Sequence, residues 1–143
     1  MLHAPRRWLL SLPLLALIAA CSTAPTGRRQ FIVVSDGDMS KMGAAAFDDI
    51  KGKGKLANDP AASRYVSCVA NALIAQLPDD ARKQPWEVVL IADESANAFA
   101  LPGNKVGVHT GLLKVATTQD ELAAVIGHEI GHVVSRHAAE RVS

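Results

Sequence analysis

An α+β fold, with helices packed on a small sheet, is what this sequence predicts. Three observations carry the prediction. A β-branched, apolar run from Trp86 to Ala92 reads as a buried strand, and two short extended pieces flank the turn signature Pro102-Gly103-Asn104. Apolar residues at helical spacing recur on both sides of that region. At 143 residues, 49% hydrophobic and 20% charged, the chain has room for one domain with a sizeable core.

The elements follow in order. Residues 1–20 open with Arg6-Arg7 and continue from Trp8 to Ala20 as an almost wholly apolar run, too short to span a bilayer comfortably. This is the pattern of a secretory signal. It ends Leu17-Ile18-Ala19-Ala20-Cys21, which resembles the lipobox of bacterial lipoproteins. That likeness implies lipidation of Cys21 and a membrane partner through the lipid, each buried methylene contributing about 0.8 kcal/mol. With Ser22 after the cysteine, the same likeness implies sorting to an outer membrane, on the periplasmic side. The alternative is an ordinary secretory signal with a cysteine near its cut site. Without Arg6 and Arg7 the chain keeps 13 basic and 14 acidic residues. No basic stripe with interleaved aromatics appears, so no nucleic-acid partner is expected. With Cys21 lipidated, Cys68 has no partner for a disulfide, and its apolar neighbours Val66 and Val69 predict a packed thiol.

Residues 21–34 are polar at first, contain Pro and Gly, and read as a tether. The domain proper is expected over 35–143. Ser35 or Asp36 caps a helix to about Ile50, with Met39, Met42, Ala46, Phe47 and Ile50 near helical spacing. Asp59-Pro60 starts a second helix to about Leu77, with Tyr65, Val69 and Leu73 on one face. Pro78-Asp79-Asp80 ends it. After the strand at Trp86–Ala92, Asn97–Leu101 and Lys105–Thr110 form a hairpin. Thr118 caps the last helix, Glu121 completes a capping box, and the body runs from Leu122 to about Arg141.

That helix carries His128-Glu129-Ile130-Gly131-His132. Four residues make about 400° of turn, so both imidazoles leave one face roughly 6 Å apart along the axis. Two imidazoles so placed can hold one zinc ion, and Glu129, about 100° round, stands beside the metal as a general base. Burying these groups among Leu122, Val125, Ile126 and Val133 without partners would be costly. The plainer alternative is a polar helix face making ordinary hydrogen bonds. On a continuing helix His137 points about 140° away from His132, which predicts packing or hydrogen bonding for it.

Residues His128 to Arg141 resemble the active-site helix of the HtpX- and CAAX-protease-type gluzincins (metallopeptidase family 48). Asn97-Ala98-Phe99-Ala100-Leu101-Pro102-Gly103-Asn104-Lys105, Thr110-Gly111-Leu112-Leu113 and Glu121 to Gly127 share the resemblance. It implies a zincin-like fold with the metal motif on the last helix, Zn2+ held by His128 and His132, and Glu129 as catalytic base. It also implies that Asn97, Ala98, Phe99 and Ala100 line a cleft and pair with the substrate backbone as an added strand. For Phe99 core packing is an equal alternative. The family's third ligand is a glutamate from a later helix. Glu140 lies on the motif's own helix, roughly 12 Å along from His132, and does not close the site. The expectation is therefore the N-terminal part of a zinc endopeptidase of the bacterial envelope, acting on polypeptides in protein quality control. The signal and lipobox look like those of periplasmic lipoprotein members. A non-catalytic, lipid-tethered chaperone or assembly factor is the alternative, and a structural lipoprotein with an accidental motif the third reading.

Overall fold

The computed structural model describes residues 21–23, 27, 29–53 and 55–143, so the expected signal segment 1–20 lies outside the described residues. Among the described residues no helix is long and apolar enough to cross a membrane.

Within the expected tether, β1 (Cys21–Thr23) and β2 (Arg29–Phe31) pair antiparallel, with Cys21 opposite Phe31. Backbone pairing across a short connection does not require the side-chain periodicity that the sequence lacks there.

Helix α1 (Asp36–Gly52) is capped by Ser35, whose Oγ accepts from Asp38 N at 3.2 Å. Its buried face is Met39, Gly43 and Phe47, a strict i, i+4 ridge, while Met42 is 60% exposed and Ala46 is exposed too. In α2 (Pro60–Ile74) Asp59 caps the first turn and Val66, Val69, Ala70 and Ile74 are buried. The face is rotated by one residue from the sequence expectation: Tyr65 is exposed, and so is Cys68, which does not pack as a small hydrophobe. A short helix, α3 (Asp79–Arg82), stands where the sequence showed only a stop. Trp86 Nε1 donates to the Ala81 carbonyl at 2.9 Å and fixes it to the following strand.

The sheet has strand order β3-β5-β4, with β3 (Glu87–Ile91) parallel and β4 (Ala98–Leu101) antiparallel to the central β5 (Lys105–His109). Gly103 (φ 82°) and Asn104 (φ 62°) supply the left-handed turn that closes the hairpin. Lys55 to Ala57 cover the outer edge of β3 through Ala57 N to Leu90 O, at 3.0 Å, and a bridge from Leu56 to Ile91. Among the described residues no strand pairs with the outer edge of β4.

Alternation along β5 divides the interior. Val106 and Val108 join Leu90 and Ala98 in a core with α2 and with α4 (Gln119–Val134), whose Leu122, Ile126 and Ile130 are buried. Gly107 faces the other way, under Phe99 and Ile91, where Phe47 of α1 meets Phe99 edge to face at 6.4 Å. A 3₁₀ turn, Thr110–Lys114, links the sheet to α4.

The long terminal helix expected from the sequence is two helices. α4 ends at Val134, Arg136 takes a left-handed conformation (φ 57°, ψ 29°), and α5 covers His137–Val142. The motif therefore sits on the next-to-last helix.

Candidate metal and active site

Helix α4 is anchored before it presents any chemistry. Thr118 Oγ1 accepts from Glu121 N at 3.2 Å, and Glu121 Oε2 accepts from Thr118 N at 3.0 Å and Thr117 N at 2.8 Å. These donors, the Thr118 backbone N–H first, hold the Glu121 carboxyl below its ordinary range. The row Leu122, Ile126 and Ile130 then fastens the helix to the core. That leaves His128 exposed, with Glu129 and His132 half-buried beside the packed row.

The two imidazoles converge. Nε2 of His128 and Nε2 of His132 lie 3.0 Å apart, with ring centroids separated by 4.5 Å. Two nitrogens of one tetrahedral zinc at ordinary Zn–N lengths stand ~3.3 Å apart, so the pair fits two corners of such a site within a few tenths of an ångström. Among the described residues no group of three His, Cys, Asp or Glu side chains converges on a common point. His128 is exposed and His132 half-buried, next to Ile130 in the packed row.

Glu129 and His132 line a cleft of about 490 Å³ that opens between the start of α1, the β4–β5 turn and the α4–α5 junction. Ala100 and Pro102 form one wall, and Arg136 and His137 another. Of the residues expected along the substrate strand, Ala100 lines this cleft. Ala98 is buried in the core and Asn97 is exposed just before β4, its carbonyl accepting from His109 N at 3.0 Å. The ring of Phe99 lies between Phe47 and His109, on the opposite face of the sheet. Cys21 begins β1 and is not brought to the site.

Sequence reasoning missed two features here. His137 does not swing away from His132, because the helix does not continue; Nδ1 of His137 lies 2.6 Å from Nδ1 of His132. Arg136, at the turn, pairs with Asp36 at the start of α1. Ser135-Arg136 contains neither glycine nor asparagine, the residues that ordinarily mark a left-handed helix end, so the sequence carried no signal for the break.

The chain is 36% identical over 121 residues to the mitochondrial metalloendopeptidase OMA1 of Schizosaccharomyces pombe, covering 82% of this chain and 35% of that protein. It is 32% identical over 106 residues to the β-barrel assembly-enhancing protease of Escherichia coli, covering 74% and 21%. It is 48% identical over 58 residues to OMA1 of Arabidopsis thaliana, covering 41% and 12%. The chain thus spans about a third or less of the length of these relatives. The sequence model of peptidase family M48 matches residues 60–143, from the first residue of α2 through the imidazole pair, and the chain belongs to that family.

Proposed function

We propose that this chain carries the metal-binding and proton-transferring core of a zinc metalloendopeptidase that hydrolyses polypeptides. One observation carries the reading: two Nε2 atoms converge to 3.0 Å on one face of α4 while the carboxylate between them in sequence lines the adjoining cleft. His128 and His132 would hold the ion through these nitrogens. Zinc bound there supplies Lewis acidity toward a peptide carbonyl and acidifies water. Glu129 takes up the proton released as water adds to the carbonyl, and returns it to the leaving nitrogen. The outer edge of β4 offers the backbone groups of Ala98 and Ala100, those of Asn97 being bonded to His109 and Ser95, to an extended substrate strand, and Ala100 leaves room for it beside Glu129.

The setting is proposed as the bacterial envelope, with residues 1–20 removed as a signal and Cys21 lipidated, and the role as protein quality control. The lipobox-like ending and the name of the Escherichia coli relative support this. A second reading is a lipid-tethered chaperone or assembly factor that uses the open edge of β4 without cleaving.

Glu129→Gln separates the two. It should retain zinc and lose cleavage of an unfolded test protein by roughly 10²–10⁴-fold, the usual contribution of a positioned general base. Undiminished, chelator-sensitive cleavage by this variant would remove Glu129 from the role. Zinc binding without cleavage by the unsubstituted protein would favour the second reading.

A further inference from the structure

We propose that His137 is a positioning residue for His132. Its Nδ1, 2.6 Å from Nδ1 of His132, holds that ring in the tautomer and orientation that turn its Nε2 toward Nε2 of His128. The inference rests on the metallopeptidase reading, because it assigns His137 to an imidazole expected to hold zinc.

Both nitrogens of His132 are engaged, and on different edges of the ring. A neutral imidazole carries one N–H, so an Nε2 lone pair free for an ion requires the proton on Nδ1. A proton there calls for an acceptor, and Nδ1 of His137 is the group in place. At 2.6 Å two ring nitrogens form a bond when one donates and the other accepts, so this contact fixes both tautomers together. With the proton of His132 on Nδ1, His137 accepts there through its own Nδ1 and carries its proton on Nε2.

The same geometry argues against His137 as a metal ligand. It meets His132 on the Nδ1 edge, away from the Nε2 pair, and no third His, Cys, Asp or Glu converges there among the described residues. The contact exists because the helix breaks. On a continuous helix His137 would stand about 140° from His132. The left-handed Arg136 reverses the chain and brings the rings to 4.9 Å between centroids. The Arg136–Asp36 pair ties that turn to α1, so the orienting imidazole is braced from a second element.

The test uses this chain unsubstituted, as His137→Phe and as His137→Asn. Long-range ¹H–¹⁵N spectra of the imidazoles report the tautomer of His132, and competition with a chromogenic chelator reports Zn2+ affinity. In the unsubstituted chain His132 should carry its proton on Nδ1. His137→Phe should mix the tautomers and weaken Zn2+ binding roughly 10–100-fold, the usual loss when the partner of a ligating histidine is removed. His137→Asn, whose carbonyl accepts from Nδ1, should recover most of the affinity, although phenylalanine fills the space better. A role in packing alone would predict the reverse order and leave the tautomer unmoved. Three results overturn the proposal while the metallopeptidase reading stands: a folded His137→Phe that binds Zn2+ as tightly as the unsubstituted chain, His132 found without its proton on Nδ1, or a metal-shifted nitrogen on His137. If the unsubstituted chain takes up no Zn2+ at His128 and His132, the metallopeptidase reading fails and this role falls with it. The tautomer measurement decides the matter even where His137→Phe does not fold.

Discussion

Gly43 of α1 lies directly against the backbone of Pro102 at the β4–β5 turn: a Cβ on Gly43 would come within 2.8 Å of the Pro102 carbonyl carbon and collide with its oxygen. This close approach seats α1 on the hairpin that walls the cleft. In a free helix Gly→Ala stabilises by roughly 0.5–1 kcal/mol. Here the opposite sign is expected, because the obstructing atoms are backbone and cannot rotate aside. Gly43→Ala should lower the thermal midpoint by several degrees and loosen hydrogen-exchange protection along β4. An unchanged or raised midpoint would mean that α1 sits further from the turn.

The capping box of α4 is open to a simpler test. Thr118 Oγ1 and the Glu121 carboxylate satisfy three backbone N–H groups at the start of the motif helix. Thr118→Ala should cost about 1 kcal/mol. For a domain of this size that lowers the thermal midpoint by roughly 3–5 °C. Thr118→Ser, which keeps the acceptor, should recover most of the loss. Equal losses for alanine and serine would show that the cap contributes through the threonine methyl.

What the sequence disclosed, and what it did not, follows from where each signal resides. The caps at Ser35, Asp59 and Thr118 and the turn at Gly103-Asn104 are local chemistry, so their residues announced them and the structure has them in place. The spacing of His128 and His132 is fixed by helix pitch, and the convergence of their Nε2 atoms follows from it. The rotation of α2 that exposes Tyr65 and Cys68 depends on which ridge meets α4 and β3, a tertiary choice between two apolar faces that periodicity alone does not make. Phe99 stands one residue from Ala98 and Ala100, so strand alternation put it on the face opposite theirs, and only its meeting with Phe47 decides which face that is. The helix break at Arg136 had no local marker at all. It is upheld by Asp36, one hundred residues earlier.

Glu87 couples α1 to the sheet, bonding Lys51 Nζ at 2.6 Å and Lys105 Nζ at 2.9 Å. The bond from Lys51, then that from Lys105, holds its carboxyl below the ordinary glutamate value, while Glu87 first and Asp48 next raise the Lys51 ammonium above its own. A depressed carboxylate contributes stability that is complete above its unfolded pKa, near ~4.3, and is lost as pH falls through the folded value. A raised ammonium contributes stability complete below its unfolded pKa, near ~10.4, and lost as pH rises past it. The thermal midpoint should therefore be level between about pH 5 and 9 and decline on both sides. Glu87→Gln should flatten part of each decline. Asp93 and Glu121, also depressed, leave a remaining acid slope. Unaltered acid and alkaline limbs in Glu87→Gln would show that these bonds do not form in solution.

Phe99 and Ala100 are neighbours on β4 with opposite surroundings, and this separates packing from substrate contact on one strand. The Phe99 ring lies against Phe47 and His109, whereas Ala100 faces the cleft beside Glu129. Phe99→Ala should destabilise by about 3 kcal/mol, the lower end for a large-to-small change because the ring is half-buried. On the proposed function, its folded fraction should cleave an unfolded test protein at the same sites as the unsubstituted chain. Ala100 packs partly against the core as well as lining the cleft, so Ala100→Met should cost about 1–3 kcal/mol and, in its folded fraction, weaken peptide binding, read as a raised KM. The pair is decisive in its contrast. A Phe99 variant that keeps its stability but shifts the cleavage sites would place that ring in contact with substrate, and an Ala100→Met variant with unchanged KM would place the substrate elsewhere than along β4.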